Sequence, residues 1–98
     1  MAVRDKSRLQ AAADAPCIRC GRLGETRACH YNGFRSYSFG KGMRIKCNDT
    51  MTAFFCHRCD SIYSEENYGA WEGGSKNIER SEEFLFWICM TTIYLQEQ

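Results

Sequence analysis

Cys17-Ile18-Arg19-Cys20 and Cys56-His57-Arg58-Cys59 repeat one short pattern, and the fold turns on them. A CxxC step brings two thiolates together on one tight turn, and two such turns supply the four sulfurs of a tetrahedral Zn²⁺ cage. Each pair has knuckle character: Gly21 follows the first, and Arg19 and Arg58 lie inside the turns. The spacing predicts that Cys17, Cys20, Cys56 and Cys59 close residues 17–59 around one structural zinc. A redox couple and a disulfide staple are the competing readings of paired cysteines. The cysteine total of seven is odd, and Met1-Ala-Val-Arg-Asp-Lys6 holds no apolar run of signal-peptide type, so zinc in a cytoplasmic protein is the expectation.

A chain of 98 residues makes one domain, at the small end of what an apolar core holds up alone. A structural metal then matters, because its binding free energy becomes folding free energy. The net charge of +1 conceals an uneven distribution. Residues 1–47 carry ten Lys/Arg against three acids, and residues 48–98 carry three against nine. An anionic partner for the basic half and self-neutralisation within one fold explain this equally well. The longest apolar stretch, Phe84 to Leu95, is too short and too interrupted by Thr to span a membrane.

Around the cysteines the chain divides into an N-terminal helix or arm over 1–16, a knuckle core over 17–68 and a C-terminal helix over 75–98. Ser7 to Ala15 is rich in helix formers and stops at Pro16. Thr26–Tyr31 and Met43–Phe55 alternate loosely and read as strands of a hairpin, joined by a Gly-rich loop over Asn32–Gly42. Asp60–Asn67 reads as a helix beginning on the second knuckle, and Gly69–Gly74 as a break. In the last helix Phe84, Leu85, Ile88, Cys89, Thr92 and Leu95 fall in a 3, 4 rhythm. That stripe is read as core or as a homodimer face, with Cys89 as a buried apolar thiol. Cys29 and Cys47 read as small buried hydrophobes flanking the hairpin.

Knuckle, hairpin, second knuckle and helix is the order of a treble-clef zinc fold, here in an α+β chain. The first strand ends on Cys29-His30-Tyr31, and a strand facing the helix start would set His30 opposite Asp60. A histidine able to take a proton from water, facing a carboxylate able to hold Mg²⁺ or Mn²⁺, is a minimal phosphodiester-cleaving site. Across the loop, Phe34, Arg35, Tyr37, Phe39, Lys41, Arg44 and Lys46 interleave aromatics with cations. Arg35, Lys41, Arg44 and Lys46 are the candidate nucleic-acid contacts, on backbone rather than bases, while the aromatics stack on bases or plug the hairpin against the last helix. His57 is read as an exposed imidazole.

Over most of its length the chain resembles the small prophage-encoded nucleases of the YbcO type, within the HNH (ββα-metal, His-Me finger) superfamily. The resemblance is carried by Arg8-Leu9-Gln10-Ala11-Ala12, by Gly24-Glu25-Thr26-Arg27-Ala28-Cys29-His30, by Lys46-Cys47-Asn48-Asp49, by the second knuckle and by the helix around Trp87. It implies an HNH-like endonuclease of phage origin, acting on nucleic acid, DNA above all, in the cytoplasm of a bacterial host. It implies His30 as general base and the four paired cysteines as the zinc cage. The residue after the second knuckle would hold the catalytic metal; the family usually has His there and this chain has Asp60, which moves preference toward harder cations. Asn48 and Asp49 are the candidates for the superfamily's central Asn, and Asp49 fits the register of the resemblance better. A non-catalytic treble-clef module binding nucleic acid or a partner protein is the alternative.

Overall fold

Asp5 starts the first helix. Its carboxylate accepts the backbone N–H of Arg8 at 3.2 Å, so α1 runs over Lys6–Ala11 with one of its free N-terminal donors satisfied. The computed structural model describes residues 4–31, 33, 40, 42, 46–63 and 75–98, with side chains in the last stretch described from residue 78. A 3₁₀ turn over Ala12–Asp14 tightens the end of α1. Ala15 then goes extended, with ψ 152°, because the ring of Pro16 excludes helical backbone in the residue before it.

The remaining elements are β1 (Arg27–His30), β2 (Thr52–Phe55), α2 (His57–Ile62) and α3 (Ser75–Gln96). β1 and β2 form an antiparallel two-stranded sheet with Arg27 opposite Phe55, Ala28 opposite Phe54, Cys29 opposite Ala53 and His30 opposite Thr52. The described residues are thus a small α+β assembly of three helices and one hairpin sheet.

Strand alternation gives this sheet two faces with different neighbours. Cys29, Ala53 and Phe55 join Cys17, Cys47, Cys56, Cys59, Tyr31, Tyr63, Phe84 and Ile88 in the larger core. Ala28 and Phe54 face the other way, onto Ala12, Ala15, Tyr94 and Leu95. In the larger core the Phe55 ring stacks on Tyr63 at 5.3 Å, and Phe84 meets Tyr31, Phe55 and Tyr63 edge-on. Offset and edge-on contacts suit the ring quadrupoles and add to the burial of each aromatic, which is worth roughly 1.5–3 kcal/mol for a residue such as Phe84.

A two-stranded sheet has two open edges, and the outer edge of β2 is covered group by group. The Phe54 N–H donates to Thr91 Oγ1 of α3 at 3.2 Å, and the Phe54 carbonyl accepts Ile18 N–H at 2.8 Å. The Thr52 carbonyl accepts the Arg8 guanidinium at 2.7 Å. The first knuckle and both flanking helices therefore use the edge as their anchor, leaving no peptide group of Phe54 unpaired inside the protein. α3 lies along this edge, with Phe84 and Ile88 serving one face of the sheet and Tyr94 and Leu95 the other.

Several sequence expectations shift. β2 covers Thr52–Phe55. Of the expected strand from Met43, residues 43–45 lie outside the described residues, while 46–51 are not strand, because the chain turns at Asp49–Thr50, where Met51 N–H bonds Asn48 O at 2.9 Å. α2 begins at His57, inside the knuckle, rather than at Asp60, since Cys56 already has extended backbone and caps it. Residues 64–74, with the expected break at Gly69–Gly74, lie outside the described residues. Cys89 is exposed rather than buried, because α3 turns only the side carrying Phe84, Ile88 and Thr91 fully inward. Phe86 and Ile93 are exposed as well, at 52% and 45%. Cys29 and Cys47 are buried, as expected, and the Cys47 thiol donates to the Tyr31 carbonyl at 3.0 Å. Among the described residues no helix is long and apolar enough to cross a membrane.

Candidate metal centre and the His30 site

The two CxxC turns meet. One ligand atom from each of Cys17, Cys20, Cys56 and Cys59 lies within 4.8 Å of the other three, and Cys20 Sγ is 3.6 Å from Cys56 Sγ. Tetrahedral zinc with Zn–S bonds of about 2.3 Å sets sulfurs about 3.8 Å apart, so the donor set fits a metal of that size. All seven cysteines are free thiols, which removes the disulfide staple.

Local backbone explains the convergence. Gly21 N–H bonds the Cys17 carbonyl at 2.8 Å and Cys17 N–H bonds the Arg22 carbonyl at 2.9 Å, folding the first pair back on itself. Gly21 sits at φ 81°, a left-handed conformation that a Cβ would strain. The second pair is the first turn of α2, so Cys56 and Cys59 stand three residues apart on one helical face.

The sulfurs differ in their own environments. Burial opposes ionisation of Cys17, yet the backbone N–H groups of Cys56, Cys20 and Arg19 point at its sulfur and bring it down to about 7. Burial pushes Cys59 up to about 12, although Arg19 reaches its sulfur at 3.6 Å. Four thiolates this close repel one another, and a cation between them removes the repulsion.

His30 sits on the opposite face of β1 from Cys29, and its partner is Asp49. His30 Nε2 lies 2.8 Å from Asp49 Oδ1. Asp49 is 2% exposed, and it accepts Arg4 NH1 at 2.9 Å on Oδ1 and the Asp5 backbone N–H at 2.7 Å on Oδ2. Burial would raise its pKa, but the bonds from His30, Asp5 and Arg4 win and bring it down to about 2. Asp49 is therefore a carboxylate, which only accepts, so His30 must donate from Nε2, and in a neutral ring Nδ1 is then the basic nitrogen. Beneath the pair, the Asp49 carbonyl accepts Thr52 Oγ1 at 2.9 Å, and Thr52 Oγ1 accepts Arg8 Nε at 2.9 Å. Arg8 is buried and completes its bonding on Thr92 Oγ1 at 3.0 Å.

Asp60 does not meet His30 as the sequence suggested. Its carboxylate lies 3.7 Å from Arg27, which also reaches His57 Nδ1 at 3.1 Å. Arg27 and Cys29 alternate onto the side of β1 away from His30, which is why Asp60 takes Arg27 as partner. Burial, with the nearby Asp60 charge second, pushes the Cys29 thiol up. Among the described residues the cysteine tetrad is the one group of three or more potential metal ligands, so His30 and Asp60 do not assemble a second set there.

Of the expected nucleic-acid contacts, Lys46 is exposed and lends its carbonyl to Arg4 NH2 at 3.2 Å. Arg35, Lys41 and Arg44 lie outside the described residues, as do Phe34, Tyr37 and Phe39. Sequence reasoning missed Arg4, Arg8 and Thr52. No local signal marks them: Arg4 and Arg8 stand in a polar, helix-forming lead-in, and what they do depends on partners some forty residues away. Comparison of the chain with family models, curated proteins and solved structures gave no match.

Proposed function

We propose that this protein is a zinc-stabilised, HNH-like endonuclease that hydrolyses phosphodiester bonds in nucleic acid, with His30 as general base and Asp49 as its orienting carboxylate. One observation carries the reading: a carboxylate 2% exposed holds Nε2 of a histidine whose side chain is 16% exposed. A buried acid, held by Arg4 and the Asp5 N–H, that fixes a half-buried imidazole through one bond matches the demands of general-base catalysis. In the proposed step Nδ1 of His30 takes a proton from water as its oxygen attacks phosphorus, and the P–O bond to the leaving oxygen breaks. The proton then passes to that oxygen from His30 or solvent. The imidazolium is stabilised by Asp49 throughout. The cysteine cage would hold Zn²⁺ as a structural ion, tying the knuckle to the β2 edge and so fixing the sheet that carries His30.

Plasmid nicking with Mg²⁺ or Mn²⁺ present tests the proposal. Wild type should nick, and His30→Ala should lose about 10²–10⁴-fold in rate. Asp49→Asn should also be impaired, since a neutral amide supplies no charge to stabilise the imidazolium formed when His30 takes the proton. Wild-type activity no greater than that of His30→Ala removes the enzyme reading, and a dependence on Mg²⁺ or Mn²⁺ that Asp60→Asn abolishes would place the cation at Asp60.

The Arg27–Asp60 ion pair favours a second reading, a non-catalytic zinc module that binds nucleic acid or a partner, because it occupies the carboxylate expected on a metal. That reading predicts salt-dependent DNA binding that survives His30→Ala and falls when Arg35, Lys41, Arg44 and Lys46 are neutralised.

A further inference from the structure

Arg4 is built into the His30 site although it lies in the lead-in to α1. Its NH1 donates to Asp49 Oδ1 at 2.9 Å and to the Cys47 carbonyl at 3.1 Å, and its NH2 donates to the Lys46 carbonyl at 3.2 Å. Two carbonyls and a carboxylate on one guanidinium match its planar fork, which a lysine cannot reproduce. The same Asp49 oxygen receives His30 Nε2 at 2.8 Å, so Arg4 and His30 share it. The Arg4 side chain remains 47% exposed while Asp49 is 2% exposed, so the cation sits as a cover over the buried carboxylate.

We infer that Arg4 is a positioning residue for His30: it fixes the orientation of Asp49 and shares its charge, and so governs how strongly Asp49 holds the imidazole. A carboxylate that already bonds a guanidinium is a weaker partner for an imidazolium, so Arg4 disfavours the protonated ring. Other described charges do not substitute for it. Asp5 turns its carboxylate to Ser7 Oγ at 2.7 Å and to Arg8 N–H, and contributes only its own N–H to Asp49. Arg8 spends its guanidinium on Thr52 and Thr92, and Lys46 contributes a carbonyl. The inference rests on the nuclease reading only for its activity readout.

The test is an NMR titration of both histidine rings in the full chain, with His57→Gln to assign them. Arg4→Ala should raise the His30 midpoint by about half to one pH unit, with His57 unmoved. Arg4→Lys, which keeps charge without the fork, should restore it only in part. If Arg4→Ala does not fold, Arg4→Gln replaces it and must show a larger rise than Arg4→Lys. The acid limb of the nicking rate should move up with the ring, concentrating the loss below neutral pH. A His30 midpoint unchanged in a folded Arg4 variant that lacks the charge overturns the inference. A displaced midpoint with no nicking by any protein leaves the inference standing and removes the nuclease reading instead.

Discussion

Replacing Cys56 by serine should cost this protein most of its ordered core. Cys56 is 1% exposed, with its sulfur 3.6 Å from that of Cys20, and it is one of the four sulfurs that could close on a metal. Cys17, Cys56 and Cys59 share one packed cluster with Phe55, Tyr63 and Phe84, so loosening the cage loosens the aromatic centre. Structural zinc in small modules contributes about 10–16 kcal/mol, against a total stability of about 5–15 kcal/mol for an ordinary domain. Even a third of the metal contribution, about 4 kcal/mol, lowers the midpoint by some 15–30 °C in a chain of this size. Wild type should carry one zinc per chain by elemental analysis, and chelator should lower its near-UV CD melting midpoint by that much. Cys56→Ser should carry less than one zinc and should not respond to chelator. Acid should mimic chelator. With Cys17 at about 7 and Cys59 pushed up to about 12 before the ion enters, uptake at neutral pH displaces protons. The metal's contribution is therefore present at neutral and alkaline pH and is lost as pH falls. A metal-free wild type whose midpoint ignores chelator would refute the reasoning.

Two further substitutions probe the scaffold. Thr91→Val keeps the shape of the side chain but strips the Phe54 N–H of its acceptor at 3.2 Å, leaving a buried donor unpaired; urea unfolding should show a loss of about 1–3 kcal/mol, and no loss would mean that water reaches this edge. Gly33→Ala places a Cβ on the Tyr31 hydroxyl and Ser81 Oγ, which are themselves hydrogen-bonded; a loss of about 1–3 kcal/mol in the same assay is expected, and an unchanged midpoint would show that α3 can move aside.

The residue pattern by itself determined the features that depend on near neighbours. CxxC steps put sulfurs on single turns, Pro16 ends the first helix, and the 3, 4 rhythm from Phe84 onward makes a long helix with a buried side. Meeting of the two sulfur pairs was legible too, since one pair alone offers a metal only half a cage. Which carboxylate faces His30 was not legible as a contact. Asp49 and Asp60 both lie near the ends of β2, and the choice depends on strand parity: His30 and Arg27 point to opposite sides, so each acid finds a different partner. The start of β2 at Thr52 was marked only by Asn48-Asp49, turn-forming residues inside a stretch otherwise read as strand, where hydrogen bonds from Met51 and Thr52 bend the chain. Arg4 and Arg8 were hidden most completely. Their roles come from carbonyls and hydroxyls brought in by the sheet edge, and a backbone carbonyl leaves no mark in a sequence. Local chemistry fixed the cage and the helices, whereas long-range hydrogen bonding decided what surrounds the imidazole.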